Sequence, residues 1–187
     1  MSRLPPSARE IWKEFHWAFF IDTQGLILCM KRFERALNQG DLEAACVELN
    51  AASDLMEASA AAMVLAGMFT REEYETDIRV SMAPPNVSSE GFSGLMSWEH
   101  GVLVGIWRDL RSKFSSLPDV LEQPHARFCD AYRKMADGHV HVCAKFVGDE
   151  AQSLRYQDRD AIENLRRFGK SRLAMIDPPK SGKRVVT

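Results

Sequence analysis

The chain has 187 residues, 45% of them hydrophobic, with 24 Lys and Arg against 26 Asp and Glu. That length and apolar content supply one sizeable core and not two comfortable domains. The near balance of interspersed charge excludes a broad nucleic-acid-binding face, which needs a cationic stripe.

The N-terminus, Met1-Ser2-Arg3-Leu4-Pro5-Pro6, lacks the apolar core of a signal peptide. Ser7 can cap a first helix behind the two prolines. Apolar residues then recur at Ile11, Phe15, Phe19, Leu26, Met30, Phe33 and Leu37, at helical steps apart from one longer gap. Asn38-Gln39-Gly40 ends this helix and Asp41 can cap a second, running to about Met68. The second helix is rich in Ala and Ser, which lets a neighbour approach closely. Its quietest stretch, Ala58 to Phe69, is too short to cross a bilayer and reads as a buried helix. Thr70-Arg71-Glu72-Glu73 is a capping box that opens a short third helix, ending before Pro84-Pro85. Asn86 to Ser93 is polar and is the best candidate for a functional loop. A fourth helix is expected over about Leu95 to Phe114, a fifth from near Pro124 to about Val147, and a sixth over about Asp158 to Met175. Residues 177–187, with Lys180, Lys183 and Arg184 among Pro, Ser and Gly, read as a disordered tail beyond a folded domain of residues 1–176. No alternating β pattern, repeat or linker stands out. The expected fold is all-α, a single-domain antiparallel helical bundle.

Four cysteines, Cys29, Cys46, Cys129 and Cys143, are scattered without a C-x-x-C pair. They read as reduced core thiols of a cytoplasmic protein, and a zinc site is not expected. No Glu-x-x-His pair, P-loop, nucleophile elbow or dinucleotide fingerprint is present.

The histidines carry more information. The fifth helix has the seam Phe128, Tyr132, Met135, His139, Val142, Phe146 at steps of four and three. His139 therefore takes a core position, with Gly138 leaving one flank of its ring uncrowded. His141 is rotated by about 200° from it and shares a face with Lys134, Asp137 and Lys145, so it reads as a solvated surface residue. A core His needs a partner for its ring nitrogens. The ordinary partner is a backbone carbonyl, and the functional alternative is an axial metal. His16, between Trp12 and Phe19, also faces the core. Two inward imidazoles on separate helices can flank a flat cofactor, or they can be two unrelated core residues. His100 and His125 receive no role from the pattern.

Three segments carry a family resemblance. Gly138-His139-Val140-His141-Val142-Cys143-Ala144-Lys145-Phe146-Val147 resembles the haem-ligand helix of the tryptophan and indoleamine 2,3-dioxygenases, with His139 at the proximal ligand. Ile78-Arg79-Val80-Ser81-Met82-Ala83-Pro84, followed by Gly91-Phe92, resembles that family's segment whose Arg binds the substrate carboxylate, here Arg79. His16, Phe19-Phe20-Ile21 and Gln24 resemble the first core helix of the tryptophan enzymes, with His16 at the distal position. The segments stand in the family's order. Gly148-Asp149-Glu150-Ala151-Gln152-Ser153 replaces the family's Gly-rich loop after the haem helix, so the resemblance does not extend to tryptophan as substrate.

The resemblance implies a dioxygenase-like fold holding haem b (heme), with iron on His139 and Gly138 beside it. It implies a small aromatic substrate and O₂, with His16 as the catalytic group. Arg79, Phe19, Phe20, Tyr74 and Phe92 would hold the substrate. The cofactor would carry the oxygen chemistry and the protein would orient the substrate. For Arg79 the ordinary alternative is a surface pair with Glu75, one turn before it. Two other functions fit the same residues. One is a haem-dependent monooxygenase or peroxygenase of a biosynthetic pathway. The other is a cofactor-free helical interaction module, since an apolar seam needs no cofactor. A homo-oligomer is also expected, from aromatics such as Trp98 and Trp107 that read as exposed.

Overall fold

The computed structural model describes residues 6–87, 97–147 and 161–180, and these are helical with no strand among them. Helix α1 (Ala8–Gln39) starts on a full capping box, in which Ser7 and Glu10 satisfy each other's backbone N–H groups. It stops at Gly40, whose φ of 73° suits a residue without a Cβ. Asp41 caps α2 (Leu42–Ala66) through the Ala44 N–H. Thr70 and Glu73 form the second capping box, opening α3 (Arg71–Glu73). A π-helical turn, Tyr74–Ile78, then leads into α4 (Arg79–Ser81). This turn was not expected from the sequence. Its wider winding puts Ile78 fully inside while Thr76 and Arg79 stay out. Ser97 caps α5 (Trp98–Phe114). A 3₁₀ turn, Asp119–Leu121, runs into α6 (Glu122–Val147), and α7 (Ala161–Ile176) completes the set.

The five long helices close a ring in which α1 touches α2, α2 touches α6, α6 touches α7, α7 touches α5 and α5 touches α1. Helices α1 and α2 form an antiparallel hairpin, and α6 and α7 are antiparallel too, with His125 beside Ile176 and Tyr132 beside Gly169. The other ring contacts are parallel. Arg127 of α6 meets Asp54 and Glu57 of α2, and farther along Gly67 meets Val142. Consecutive long helices therefore alternate in direction as expected, while the ring also sets parallel helices side by side. At Gly25 an added Cβ would lie 2.9 Å from Leu55 Cδ1, which shows how closely α1 and α2 approach.

The interior of the ring holds two apolar clusters. The larger gathers Met30, Phe33, Leu49, Met56, Trp107 and Phe128 with their neighbours, all nearly or fully buried. Phe33 stacks on Phe114 at 5.8 Å between centroids. We expect Phe33→Ala to cost about 3–5 kcal/mol, read as a lower urea midpoint with an unchanged slope. The smaller cluster, Ala8, Phe69, Ile78 and Phe146, closes the opposite end with Ile11, Trp12, Tyr74 and Val142 around it. Phe146 is stacked between Phe69 and Tyr74 at 4.8 and 4.9 Å.

Several expectations are corrected. Trp107 is not a surface aromatic: it is 1% exposed and packs edge-on to Phe128 and Tyr132, whereas Trp98 is 76% exposed. Residues 177–180 are not a free tail, because Asp177 pairs with Arg133 and Lys180 with Glu122. The rest of that expected tail, 181–187, lies outside the described residues, as do 88–96 and 148–160. Helix α2 ends at Ala66, and Lys145 of α6 donates to the Gly67 and Phe69 carbonyls that follow it. No single described helix is long and apolar enough to cross a membrane.

Candidate functional site

The two apolar clusters do not meet along every helix. On α1 the small cluster reaches Trp12 and the large one begins at Leu26, with His16 between them. On α6 the large cluster ends at Met135 and Ala136 and the small one resumes at Val142, with His139 between. On α5 the large cluster begins at Leu103, one turn after His100. On α7 Arg172 directly precedes Leu173 of the large cluster. His16 and His139 thus lie between the clusters along their helices, while His100 and Arg172 adjoin the large one, each residue from a different helix.

His139 reaches the break from α6. It is half-buried as a residue, yet protein surrounds the ring closely enough that burial is the largest influence on it. Burial, with the charges of His16 and Arg172 acting the same way, drives its pKa down to about 4. His100 behaves alike: burial, then Arg172 and His139, takes it down to about 4. His16 is lowered mainly by burial, opposed by its contact with the Trp12 carbonyl. That contact, Nδ1 to oxygen at 2.7 Å, requires the proton on Nδ1 and leaves Nε2 as an acceptor. The ring is braced against Trp12 at 4.2 Å. His100 is different, because its Nε2 is buried and has no hydrogen-bond partner among the described residues. A buried polar atom without a partner is uncommon enough to require a reason.

All three imidazoles are therefore neutral at pH 7. The folded protein refuses protons that the unfolded chain takes up below pH 6.5, so stability must fall as the pH drops from about 6.5 toward 4. The loss is up to about 3 kcal/mol for each of His100 and His139. Thermal melts of the cofactor-free protein across that window check this, and the His100→Gln/His139→Gln variant is expected to flatten the profile.

No three His, Cys, Asp or Glu side chains among the described residues lie close enough to hold a bare metal ion. The three imidazoles do not converge on one ion. Cys143, one turn after His139, is a free thiol pushed up to about 11 by burial. It is protonated at neutral pH, as expected for an inert core thiol, and does not compete with His139 as a thiolate.

The other expected site residues are distributed around this break. Phe19 and Phe20 are half-buried on α1, with ring centroids 6.1 Å apart. Gly138 is half-buried, and an added Cβ would come only within 4.0 Å of Val64, so space is available there without glycine. Tyr74 belongs to the small cluster, where its phenol is raised mainly by burial and also feels Cys143. Arg79 is exposed and pairs with Glu75 at 3.4 Å, the surface arrangement weighed for it above. Its charge reaches Tyr74 of the small cluster. Phe92 lies outside the described residues. His141 is exposed as expected. His125 is structural: it stacks on Phe114 and bonds the Ile176 carbonyl, pinning the end of α7.

Two residues of the cluster, His100 and Arg172, were missed. The signal was present for His100, because His100, Leu103, Trp107, Leu110 and Phe114 repeat at the same three and four steps that singled out His139. Arg172 continues Leu165 and Phe168 on α7 toward Ile176, so it too stands on an apolar seam.

Comparison with known proteins identifies a family. The model of the SfmD 3-methyl-L-tyrosine peroxygenase family matches residues 3–124, which include His16 and His100. A 3-methyl-L-tyrosine peroxygenase of Streptomyces lavendulae is 31% identical over 168 residues, covering 88% of this chain and 46% of the relative. A stretch that long contains both His100 and His139 wherever it begins. The chain spans about half the length of this curated relative. No solved structure matches significantly. On the extent of the family match, the chain belongs to the SfmD 3-methyl-L-tyrosine peroxygenase family.

Proposed function

We propose that the break in the core is a haem pocket, and that this chain supports peroxygenation of a hydroxylated aromatic amino acid of the 3-methyltyrosine class. The observation that carries the haem reading is His100, whose buried Nε2 has no hydrogen-bond partner among the described residues and which lies near enough to His139 to feel its charge. A planar metal complex accounts for that atom, and the apolar clusters on either side suit its faces and edges. When bound, haem supplies the iron at which a peroxide O–O bond is broken and an oxygen atom becomes available to the substrate.

The chain's own residues have distinct tasks. His139 is kept neutral by burial, which leaves a ring nitrogen able to bind iron at pH 7. His100 offers a second neutral imidazole from α5. His16, with its proton on Nδ1, presents Nε2 as an acceptor for a phenolic O–H and holds that proton away from bulk water. Phe19 and Phe20 supply half-buried aromatic surface next to it.

The family match favours the peroxygenase alternative over the dioxygenase first implied by the resemblance. Product mass discriminates between them. Haem-loaded protein given 3-methyl-L-tyrosine and ¹⁸O-labelled peroxide is expected to add one labelled oxygen atom. Two added atoms, both from O₂, would restore the dioxygenase reading. If no hemin binds at one equivalent, the haem pocket itself is rejected.

A further inference from the structure

The four buried side-chain nitrogens without a partner among the described residues are His100 Nε2, Trp107 Nε1, Asn164 Nδ2 and Arg172 Nε. They share two elements, α5 and α7, which pack side by side. The Trp, Asn and Arg atoms can only donate, so what they lack is an acceptor. Asn164 is 6% exposed, and its carbonyl oxygen is already taken by Arg167.

Arg172 is the charged member of this set. Its guanidinium lies 5.2 Å from the ring centroid of Phe168, one turn earlier, so the side chain runs back toward the start of α7. That direction leads to the histidine level, because α7 is antiparallel to α6 and Gly169 already lies beside Ala136. Its charge acts on both His100 and His139. No carboxylate answers it among the described residues, and Tyr132 is the only group whose charge supports it. A half-buried guanidinium without a counter-ion destabilises the fold that holds it. Such a group is retained when a ligand supplies the missing anion.

We infer that Arg172 is the carboxylate-receiving residue of the pocket, taking a haem propionate or the α-carboxylate of the amino-acid substrate. This rests on the haem reading above. Arg's planar fork matches a carboxylate with two parallel N–H···O bonds, which Lys cannot reproduce. The buried Asn164 amide is a second donor on the same helix.

The test uses the whole chain with wild-type, Arg172→Gln and Arg172→Lys proteins. Hemin and hemin dimethyl ester are titrated against each, followed by tryptophan fluorescence and the Soret band. If a propionate is the partner, wild type binds hemin at least tenfold more tightly than its ester, and Arg172→Gln loses that preference. If the substrate carboxylate is the partner, the two porphyrins bind alike. In that case 3-methyl-L-tyrosine shifts the Soret band of wild type but not of Arg172→Gln, whereas 2,4-dimethylphenol, which lacks the carboxylate, affects both equally. Arg172→Lys is expected to recover only part of either effect.

A melt of the cofactor-free proteins separates this from a structural role. Removing an unpaired buried charge should raise the melting temperature of Arg172→Gln, whereas loss of a structural arginine lowers it. Porphyrin binding with neither preference overturns the assignment and leaves the haem reading intact. Failure of wild type to bind either porphyrin removes both.

Discussion

His139→Ala protein titrated with hemin is expected to show no saturable Soret shift, where wild type saturates at one equivalent. The argument is electrostatic and positional. His139 is the imidazole that α6 inserts into the break between the two apolar clusters, and burial keeps it unprotonated. A ring nitrogen that is neutral at pH 7 binds iron without first losing a proton, so affinity does not compete with acidity. Removing the ligand should weaken binding by at least about a hundredfold, since even outer partners of metal ligands are worth ten- to a hundredfold. The fold should survive, because the variant no longer has to bury that imidazole. Its stability should therefore fall less than wild type's as the pH drops toward 4. Added imidazole is expected to restore part of the hemin binding. An unchanged Soret band in the variant, without added imidazole, would remove His139 from the iron.

The second large effect separates His100 from His16. Both border the break, but their nitrogens are committed differently. His16 spends Nδ1 on the Trp12 carbonyl at 2.7 Å and is braced against the Trp12 ring, so it is oriented before any ligand arrives. His100 Nε2 is buried with no hydrogen-bond partner among the described residues, so it is the nitrogen left for an incoming group. We therefore expect His100→Ala to displace the Soret maximum and lower hemin affinity about tenfold, in the range seen when groups around a metal are lost. His16→Ala should leave hemin affinity within about threefold. It should instead lower kcat/KM for a phenolic substrate by about 10²–10³, the contribution of one positioned proton acceptor. The reverse pattern, a Soret displaced by His16→Ala and untouched by His100→Ala, would exchange the two roles.

The expectations that held and those that failed differ in a physical way. Local chemistry was readable in the chain. Ser7, Asp41, and Thr70 with Glu73 are caps whose partners lie within one helical turn, and all three form as expected, Ser7 in a full box with Glu10 that was not foreseen. The seam through Phe128, Tyr132 and Phe146 was readable because a helix repeats its facing direction at every third and fourth residue. The same repeat holds His100 and Arg172, yet neither was recognised. His100 lies near the start of its helix, and a charged residue on a seam resembles a frayed polar position.

Other features had no local signature. The neighbours of Trp107 are not given by its own helix, and only the approach of α6 packs it against Phe128 and Tyr132. The π-helical turn at Tyr74–Ile78 follows from the need to direct Ile78 inward and Arg79 outward within one short segment.

By itself, then, the sequence determined an all-α chain, the caps at Ser7, Asp41 and Thr70, and His139 and His16 on inward helix faces, because capping and helical periodicity are short-range properties. Tertiary structure alone decided that α1, α2, α6, α7 and α5 close a ring, that His16, His100, His139 and Arg172 come from four helices to one region, and that His100 Nε2 and Arg172 Nε find no hydrogen-bond partner among the described residues. Those outcomes depend on contacts between residues tens of positions apart. A missing hydrogen bond is a property of everything surrounding an atom, which no pattern along one helix contains.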